Sequence, residues 1–331
     1  MKAVCVRPDR SLEAREIPTP AAPPAGHLLV QIEASAINHG DKTFLARKPP
    51  ISLPPTANEI WGASAVGCVI AIGEGVAPNY IGKRVAIYLS MRRTPDTIGL
   101  WCEVAQIHHL NCMILPDNVQ SNDYCGSLVN AITAYAFMTQ AQEEGHKGVV
   151  ATAGQSATGR ALAALARDKG VSVIHLVRSA SAREALRQAD IEHILVTTDQ
   201  DFEQNFARLA ERLDATAVFD GLGGDIVSRL APHVPRNSTF YFYGFLAAGV
   251  PFSLETQVFM EKNLTMKLFS NFQTATVKDS RKLVAALDDL QCRIADPLFR
   301  TPLGKTFRFD EIDAAMSYND EAGGRPVLRP N

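Results

Sequence analysis

A chain of 331 residues, 46% hydrophobic and 21% charged, is long enough for two ordinary domains or one large one and has an average globular make-up. Its formal charge of −2 argues against nucleic-acid and anionic-membrane partners, which need a basic face. The opening MKAVCVRPDRSLEAREIPTP has no apolar core of signal-peptide length, and no segment approaches the ~20 apolar residues that cross a bilayer, so a cytoplasmic protein is expected.

Short apolar runs rich in Val and Ile come first: HLLVQIEASAIN, AVGCVIAIG and KRVAIYL. Pro and Gly clusters (PTPAAPPAG, KPPISLPP, GEGVAP) separate them, which suggests a barrel-like β domain. The six cysteines, Cys5, Cys68, Cys102, Cys112, Cys125 and Cys292, show no metal-ligand or disulfide spacing and are expected to be buried and reduced. Near residue 120 the pattern changes. NDYCGSLVNAITAYAFMTQAQEEG reads as one long helix ended by Gly145.

Strand and helix signals then alternate. GVVATAG is followed by the helix ATGRALAALARDKG, VSVIHLVR by SAREALRQAD, and HILVT by DFEQNFARLAERL. TAVFDGLG is followed by DIVSRLAPHV and then by the strand STFYFYGFL. Near-continuous apolar strands in this order predict a parallel sheet covered on both faces, an α/β architecture. Two further helices, DSRKLVAALDDL and FDEIDAAMSYND, and a strand, GRPVLRP, end the chain.

The turn ATAGQSATGR, residues 151–160, admits two chemistries. A nucleophile elbow needs G-x-S-x-G, but Thr158 stands two residues after Ser156, and His175, His193 and His233 have no distinctive setting. A dinucleotide turn fits better, since the stretch leaves a strand and opens a helix whose N–H groups and positive end attract phosphate. The run Gly154, Gln155, Ser156, Ala157, Thr158, Gly159 has Ala157 where a middle glycine could stand. At the end of the second strand, where NAD enzymes carry an acid, the chain has Arg178, Ser179 and Arg183. Arginine attracts a 2′-phosphate, which favours NADP(H); the plainer reading of Arg178 is a solvated charge.

The order of β-rich domain, dinucleotide fold and returning strand resembles the medium-chain dehydrogenase/reductases. INHGD, GASAVGCVIAIGEGV, IGKRVAIY, LVNAITAY, EEGHKGVVATAGQSATGRALAALA, VFDGLGGD, STFYFYGFL and GGRPVLRP carry the likeness over nearly the whole chain. It is closest in kind to the zinc-free quinone oxidoreductase and 2-enoyl thioester reductase-like branch. The resemblance implies a GroES-like β-barrel catalytic domain from residues 1–120 and 272–331, and a Rossmann domain, a doubly wound parallel sheet, from residues 121–271. It also implies a cleft between them for nicotinamide and substrate, and a homodimer built through LTMKLFSNF. Where zinc enzymes of the superfamily place a Cys and a His-Glu pair, this chain has Asn38, Ala63 and Ser64, so no metal is expected.

The chemistry implied is hydride transfer from NADPH to a small-molecule enone, 2-enoyl thioester or quinone. The segment KTFLARKPPISLPP lacks the tyrosine of enoyl thioester reductases, leaving Lys42 or Lys48 as donors or as solvated charges. Asn38, Asn130 and Thr133 are expected to face nicotinamide or substrate, against the alternative of buried amides bonded to local backbone. Gly221, Gly223, Gly224, Tyr243, Gly244 and Phe245 are expected to flank the cofactor, or to form tight turns only. Phe269, Ser270 and Asn271 would close one side of the cleft, and Arg325 would reach a cofactor phosphate or solvent. The alternative from another class is a non-catalytic NADPH-binding sensor or partner-binding protein on the same fold.

Overall fold

The computed structural model describes residues 1–46, 56–92, 98–247, 249–320 and 323–330. The chain forms two compact units, one from Met1–Asn130 with Ser280–Asn331 and one from Ala131–Asp279. Both junctions lie later in the chain than 120/121 and 271/272, and the first falls inside a helix.

The first unit starts with a hairpin of β1 (Lys2–Val6) and β2 (Leu12–Glu16). Next come β3 (His27–Ala36), β4 (Ser64–Ile72), β5 (Arg84–Tyr88), β6 (Val104–His108) and β7 (Cys112–Ile114). β3 pairs antiparallel with β4 and with β6, so it is central and buried along nearly its whole length. Leu28, Val30, Ile32, Val69, Val85, Ile87 and Ile107 fill the core there. A short helix, α1 (His39–Ala46), leaves the end of β3. Its start is fixed by Asp41, whose Oδ2 accepts the Asn38 N–H at 2.8 Å, half of a capping box.

The helix α2 (Ser127–Glu143) follows a 3₁₀ turn at Ser121–Tyr124, so the long helix expected from the sequence starts late. The second unit then alternates as expected: β8 (Gly148–Ala151), α3 (Ala157–Lys169), β9 (Ser172–Val177), α4 (Ala180–Arg187), β10 (Ile194–Val196), α5 (Phe202–Arg212) and β11 (Ala217–Asp220). It continues through α6 (Asp225–Leu230), β12 (Thr239–Phe242), α7 (Thr256–Lys262), β13 (Thr265–Leu268) and α8 (Ala275–Lys278). Every neighbouring pair is parallel, in the order β10-β9-β8-β11-β12-β13. In chain order within the sheet this is 3-2-1-4-5-6, the doubly wound dinucleotide-binding topology.

One face packs Val150, Ile174, Val218 and Phe240 against Phe202 and Phe206 of α5 and Leu230 of α6. On the other, Phe137 of α2 stacks on Phe219 at 3.9 Å and meets Tyr241 edge-on at 5.2 Å. Beside them the Tyr241 hydroxyl donates to Glu144 Oε2 at 2.6 Å, and Lys267 Nζ reaches the same oxygen at 2.7 Å. These bonds hold the end of α2 on β12 and β13. Helix α6 stops short of the expected end because Pro232 cannot continue it. β12 ends at Phe242, where the chain folds back and Leu246 N donates to Gly221 O at 3.1 Å.

The chain returns to the first unit through α9 (Ser280–Arg293), β14 (Leu303–Arg308), α10 (Ile312–Ser317) and β15 (Arg325–Arg329). β15 pairs parallel with β14 and antiparallel with β3, so the chain's last strand joins the sheet of β3, β4, β5 and β7. All six cysteines are free. Cys5, Cys102, Cys112 and Cys125 are buried, whereas Cys68 is half-buried and Cys292 is exposed, against the expectation for all six.

Candidate functional site

In a parallel sheet all carboxyl ends lie along one edge, and ligands bind there where the strand order reverses. The reversal in the second unit lies between β8 and β11. Gly154–Ser156 follows β8, Arg178 and Ser179 follow β9, and Gly221–Gly224 follow β11. Tyr243–Phe245 follow β12 and Phe269–Asn271 follow β13. The topology therefore places these sequence-derived candidates on one edge, with Arg183 in the first turn of α4.

Ser156 caps α3. Its Oγ accepts the Gly159 N–H at 3.1 Å and also bonds the Tyr243 hydroxyl. The serine is thus occupied as a cap, which is not the setting of an activated nucleophile. Nearby His175 is buried, with its pKa pushed down to about 4, chiefly by desolvation, and its Nδ1 lies 3.4 Å from Gly154 O. The two glycines of the turn are required by the protein's own packing. A Cβ on Gly159 would stand 2.5 Å from Ala153 O and 2.6 Å from Gly154 O, and one on Gly154 would stand 2.9 Å from Leu176 O. Both walls are backbone and cannot yield cheaply. Gly159→Ala should cost about 2 kcal/mol of stability, as overpacking does, and lower the melting temperature; an unchanged Tm would show that the turn tolerates the methyl.

The second glycine turn is organised by a pair the sequence did not single out. Thr152 Oγ1 donates to Asp220 Oδ1 at 2.5 Å and accepts Gly221 N–H at 3.1 Å. Asp220 also accepts Leu222 N–H at 3.2 Å and Gly223 N–H at 2.8 Å, while burial pushes its pKa up against these bonds. Gly223 and Gly224, with φ of +67° and +68°, are in the left-handed region that glycine tolerates. The Tyr243 ring stacks on Phe219 at 4.0 Å, and its hydroxyl would lie 2.6 Å from a Cβ on Gly221. Burial pushes the Tyr243 hydroxyl pKa up.

After β9, Arg178 is exposed and its carbonyl accepts from Thr198 Oγ1 at 3.3 Å. Ser179 caps α4 by accepting Ala182 N–H at 3.2 Å, and Arg183 faces Asp199 at 3.5 Å. Thr133 on α2 accepts from Asn271 Nδ2 at 2.7 Å, and Asn271 Oδ1 is buried with no hydrogen-bond partner among the described residues. Phe269 is buried against Phe219 and Phe137, Ser270 is half-buried, and Phe245 is exposed.

The first unit holds the other candidates. Asn38 is buried; its Nδ2 donates to Ser64 Oγ at 2.6 Å, and its Oδ1 accepts from Arg325. Arg325 thus joins the Asn38 group, a placement absent from the two expected for it. Asp41 lies beneath, with Oδ1 accepting Ala63 N–H at 3.0 Å; burial pushes its carboxyl pKa up to about 6, although the Asn38 and Ala63 donors and the Arg325 charge pull the other way. Asn130 Nδ2 donates to Gly126 O at 2.6 Å, the local-backbone bond that was the alternative for this residue. Lys42 donates to Tyr318 O at 3.2 Å, and Lys48 lies outside the described residues. Among the described residues no group of three or more His, Cys, Asp or Glu could hold a metal ion.

With this geometry in place, the chain has the fold of the medium-chain dehydrogenase/reductases: a GroES-like unit assembled from both ends of the chain and a doubly wound unit between its segments. Residues 24–143 match the alcohol dehydrogenase GroES-like domain family. The whole chain superposes on a putative NADPH:quinone reductase from Mesorhizobium loti, with a TM-score of 0.77, 24% identity, and coverage of 100% of this chain and 98% of the other. The Escherichia coli quinone oxidoreductase complexed with NADPH gives a TM-score of 0.74 at 19% identity, covering 99% of both chains. In sequence, the human synaptic vesicle membrane protein VAT-1 homolog is 28% identical over 214 residues, 62% of this chain and 51% of that protein. The Arabidopsis thaliana mitochondrial enoyl-[acyl-carrier-protein] reductase is 23% identical over 264 residues, 77% of this chain and 68% of the relative. The chain spans about half the length of the VAT-1 homologs it matches.

Proposed function

We propose that the protein is a cytoplasmic, zinc-independent NADPH-dependent oxidoreductase that reduces an activated C=C bond or a quinone. The observation that carries the reading is the glycine turn at the β8–α3 passage of a 3-2-1-4-5-6 sheet, with Arg178 closing the neighbouring strand. The names of the solved reductases and of the enoyl reductase support it. The residues fit a reduced nicotinamide dinucleotide. The capped end of α3 suits the pyrophosphate, Arg178 suits a 2′-phosphate, and the orphaned Asn271 Oδ1 suits an N–H donor such as a carboxamide. When bound, that cofactor supplies the hydride.

The chain's own residues orient and exclude. Ser156 and the two close-packed glycines fix the phosphate turn, Asp220 and Thr152 fix the second turn, and the Phe137–Phe219–Tyr243 stack gives an apolar wall that keeps water away. Asn38 and Ser64, bonded to each other, occupy sequence positions that carry ligands in the zinc enzymes.

The test is an NADPH-oxidation screen over quinones, enones and 2-enoyl thioesters, run alongside NADPH titration. Turnover of one class establishes the reductase. Tight NADPH binding with no turnover points instead to the cofactor-binding sensor. We also infer a homodimer: β13 is an edge strand with Leu268 exposed, and exposed Phe259 and Met260 precede it on α7. Leu268→Lys should give monomers in sedimentation, whereas a wild-type monomer at micromolar concentration would remove the dimer.

A further inference from the structure

The edge strand β13 carries one charged side chain, Lys267, and its charge is balanced within the second unit. Lys267 lies over the Tyr241 ring at 4.7 Å, and its Nζ donates to Glu144 Oε2 at 2.7 Å. The Tyr241 hydroxyl donates to the same oxygen at 2.6 Å, and Gln140 Nε2 to the other at 2.7 Å. Burial pushes the Glu144 pKa up, but these donors outweigh it and hold the carboxyl below its ordinary value, so Glu144 is charged at neutral pH. On the far side of the hydroxyl, His146 Nε2 lies 2.9 Å from Tyr241 Oη, and its Nδ1 lies 2.8 Å from Thr216 Oγ1. Burial first, and Lys267 with it, hold the His146 pKa below the usual imidazole value, against the pull of Glu144 and Asp214. The imidazole is therefore mostly neutral at pH 7, and Glu144 is the acid that cancels Lys267.

A lysine on an edge strand ordinarily guards it, because an incoming strand meets an unpaired charge. Here the charge is tied to the strand's own sheet, while the backbone edge stays open. Thr265 and Phe269 N–H donate inward, to Ser238 O at 3.0 Å and Phe242 O at 2.8 Å. By alternation, Met266 and Leu268 turn their N–H and C=O groups away from β12. An acidic strand would be drawn to a free lysine, which this edge does not offer. A second copy of the same edge suits it better. Identical edges pair antiparallel about a two-fold axis perpendicular to the sheet. Opposed residues then point to one face, so each meets itself or a residue an even number of positions away. Centred on β13, this sets Lys267 opposite Lys267 or Thr265. In both registers the two Lys267 side chains are direct or diagonal neighbours, about 5–8 Å apart at Cβ, where like charges repel.

We propose that the Glu144–Lys267 pair disarms the β13 edge, so that a second copy of this chain can pair with it strand to strand. The inference rests on the homodimer reading and adds its electrostatic condition. Each chain brings its own carboxylate to its own lysine, so the two-fold axis relates two neutral pairs instead of two bare cations. Leu268, exposed on the other face of the strand, is left to add apolar contact.

Sedimentation velocity of the wild type, Glu144→Gln and the double variant Glu144→Gln/Lys267→Gln, at low and high salt, tests this. The single substitution keeps an acceptor for Tyr241 and Lys267, and Gln140 can turn its own amide to match. It should weaken the dimer about tenfold at low salt, with most of the loss recovered at high salt, because two uncompensated lysines then face each other. The double variant, uncharged at both positions, should dimerise within about twofold of the wild type. A single variant as tightly dimeric as the wild type overturns the proposal and leaves the dimer standing. A folded double variant as weak as the single one also overturns it, since the loss then lies in the end of α2 and not in charge. A wild-type monomer at micromolar concentration removes the homodimer itself, and this proposal with it. Where circular dichroism shows that the single variant does not fold, the double variant decides alone: a dimer like the wild type supports the proposal, and a weakened one overturns it.

Discussion

Arg178→Ala is expected to weaken NADPH binding 10- to 100-fold and to leave NADH binding within twofold. Arg178 follows the carboxyl end of β9, the strand beside β8, where the cofactor's ribose lies in this topology. A charge-assisted bond from arginine to phosphate is worth about 1.5–3 kcal/mol, which is the stated range of affinities. Arg183 offers less, because Asp199 already faces it at 3.5 Å and offsets its charge. Arg183→Ala should therefore cost NADPH only a few-fold. Titration calorimetry with both cofactors at one low ionic strength decides the matter, since salt screens an exposed cation. Equal losses for NADPH and NADH would take Arg178 out of this role, and a wild type that prefers NADH would remove the 2′-phosphate argument altogether.

The sequence made some of this legible through local signals. Apolar strands alternating with amphipathic helices marked the doubly wound sheet, because each element's burial is written in its own residues. The glycine turn after β8 was visible for the same reason: Gly154, Ser156 and Gly159 lie within six positions. Their physical necessity was not visible. Gly154 is small because β9 presses on it through Leu176, a neighbour fixed only by strand order. Pairs far apart in the chain were equally hidden. Thr152 and Asp220 are 68 residues apart and Asn38 and Arg325 are 287 apart, and no periodicity links either pair. Helix α1 escaped notice because His-Gly-Asp-Lys-Thr is a weak helix former, held by the Asp41 cap. Asn38 was named from a motif position, yet its bond to Ser64, 26 residues further on, could not be read from that motif.

Stability should fall as pH rises from about 4 to about 6, and Asp41 should be a main source of the fall. Its side chain is buried, and its folded-state pKa is about 6 against an ordinary carboxyl value of 3.8. Between those values the folded chain keeps a proton that the unfolded chain has released. The native state therefore binds more protons, and stability declines with rising pH until both states are ionised. Two pKa units correspond to about 3 kcal/mol, fully present below pH 4 and lost once pH passes 6. Glu144 and Glu203, whose pKa values are lowered by Lys267 and Arg229 respectively, contribute in the opposite sense, so the wild-type profile alone is a mixture. Asp41→Asn isolates the effect. The amide cannot titrate, and its Nδ2 would face one of the N–H groups that Asp41 now accepts, so the variant is less stable at every pH. The gap between wild type and variant should shrink by about 2–3 kcal/mol from pH 4 to pH 6.5, measured by urea unfolding at each pH. A constant gap would mean that the Asp41 carboxyl titrates as it does in the unfolded chain, and that Asn38 and Ala63 fully offset its burial.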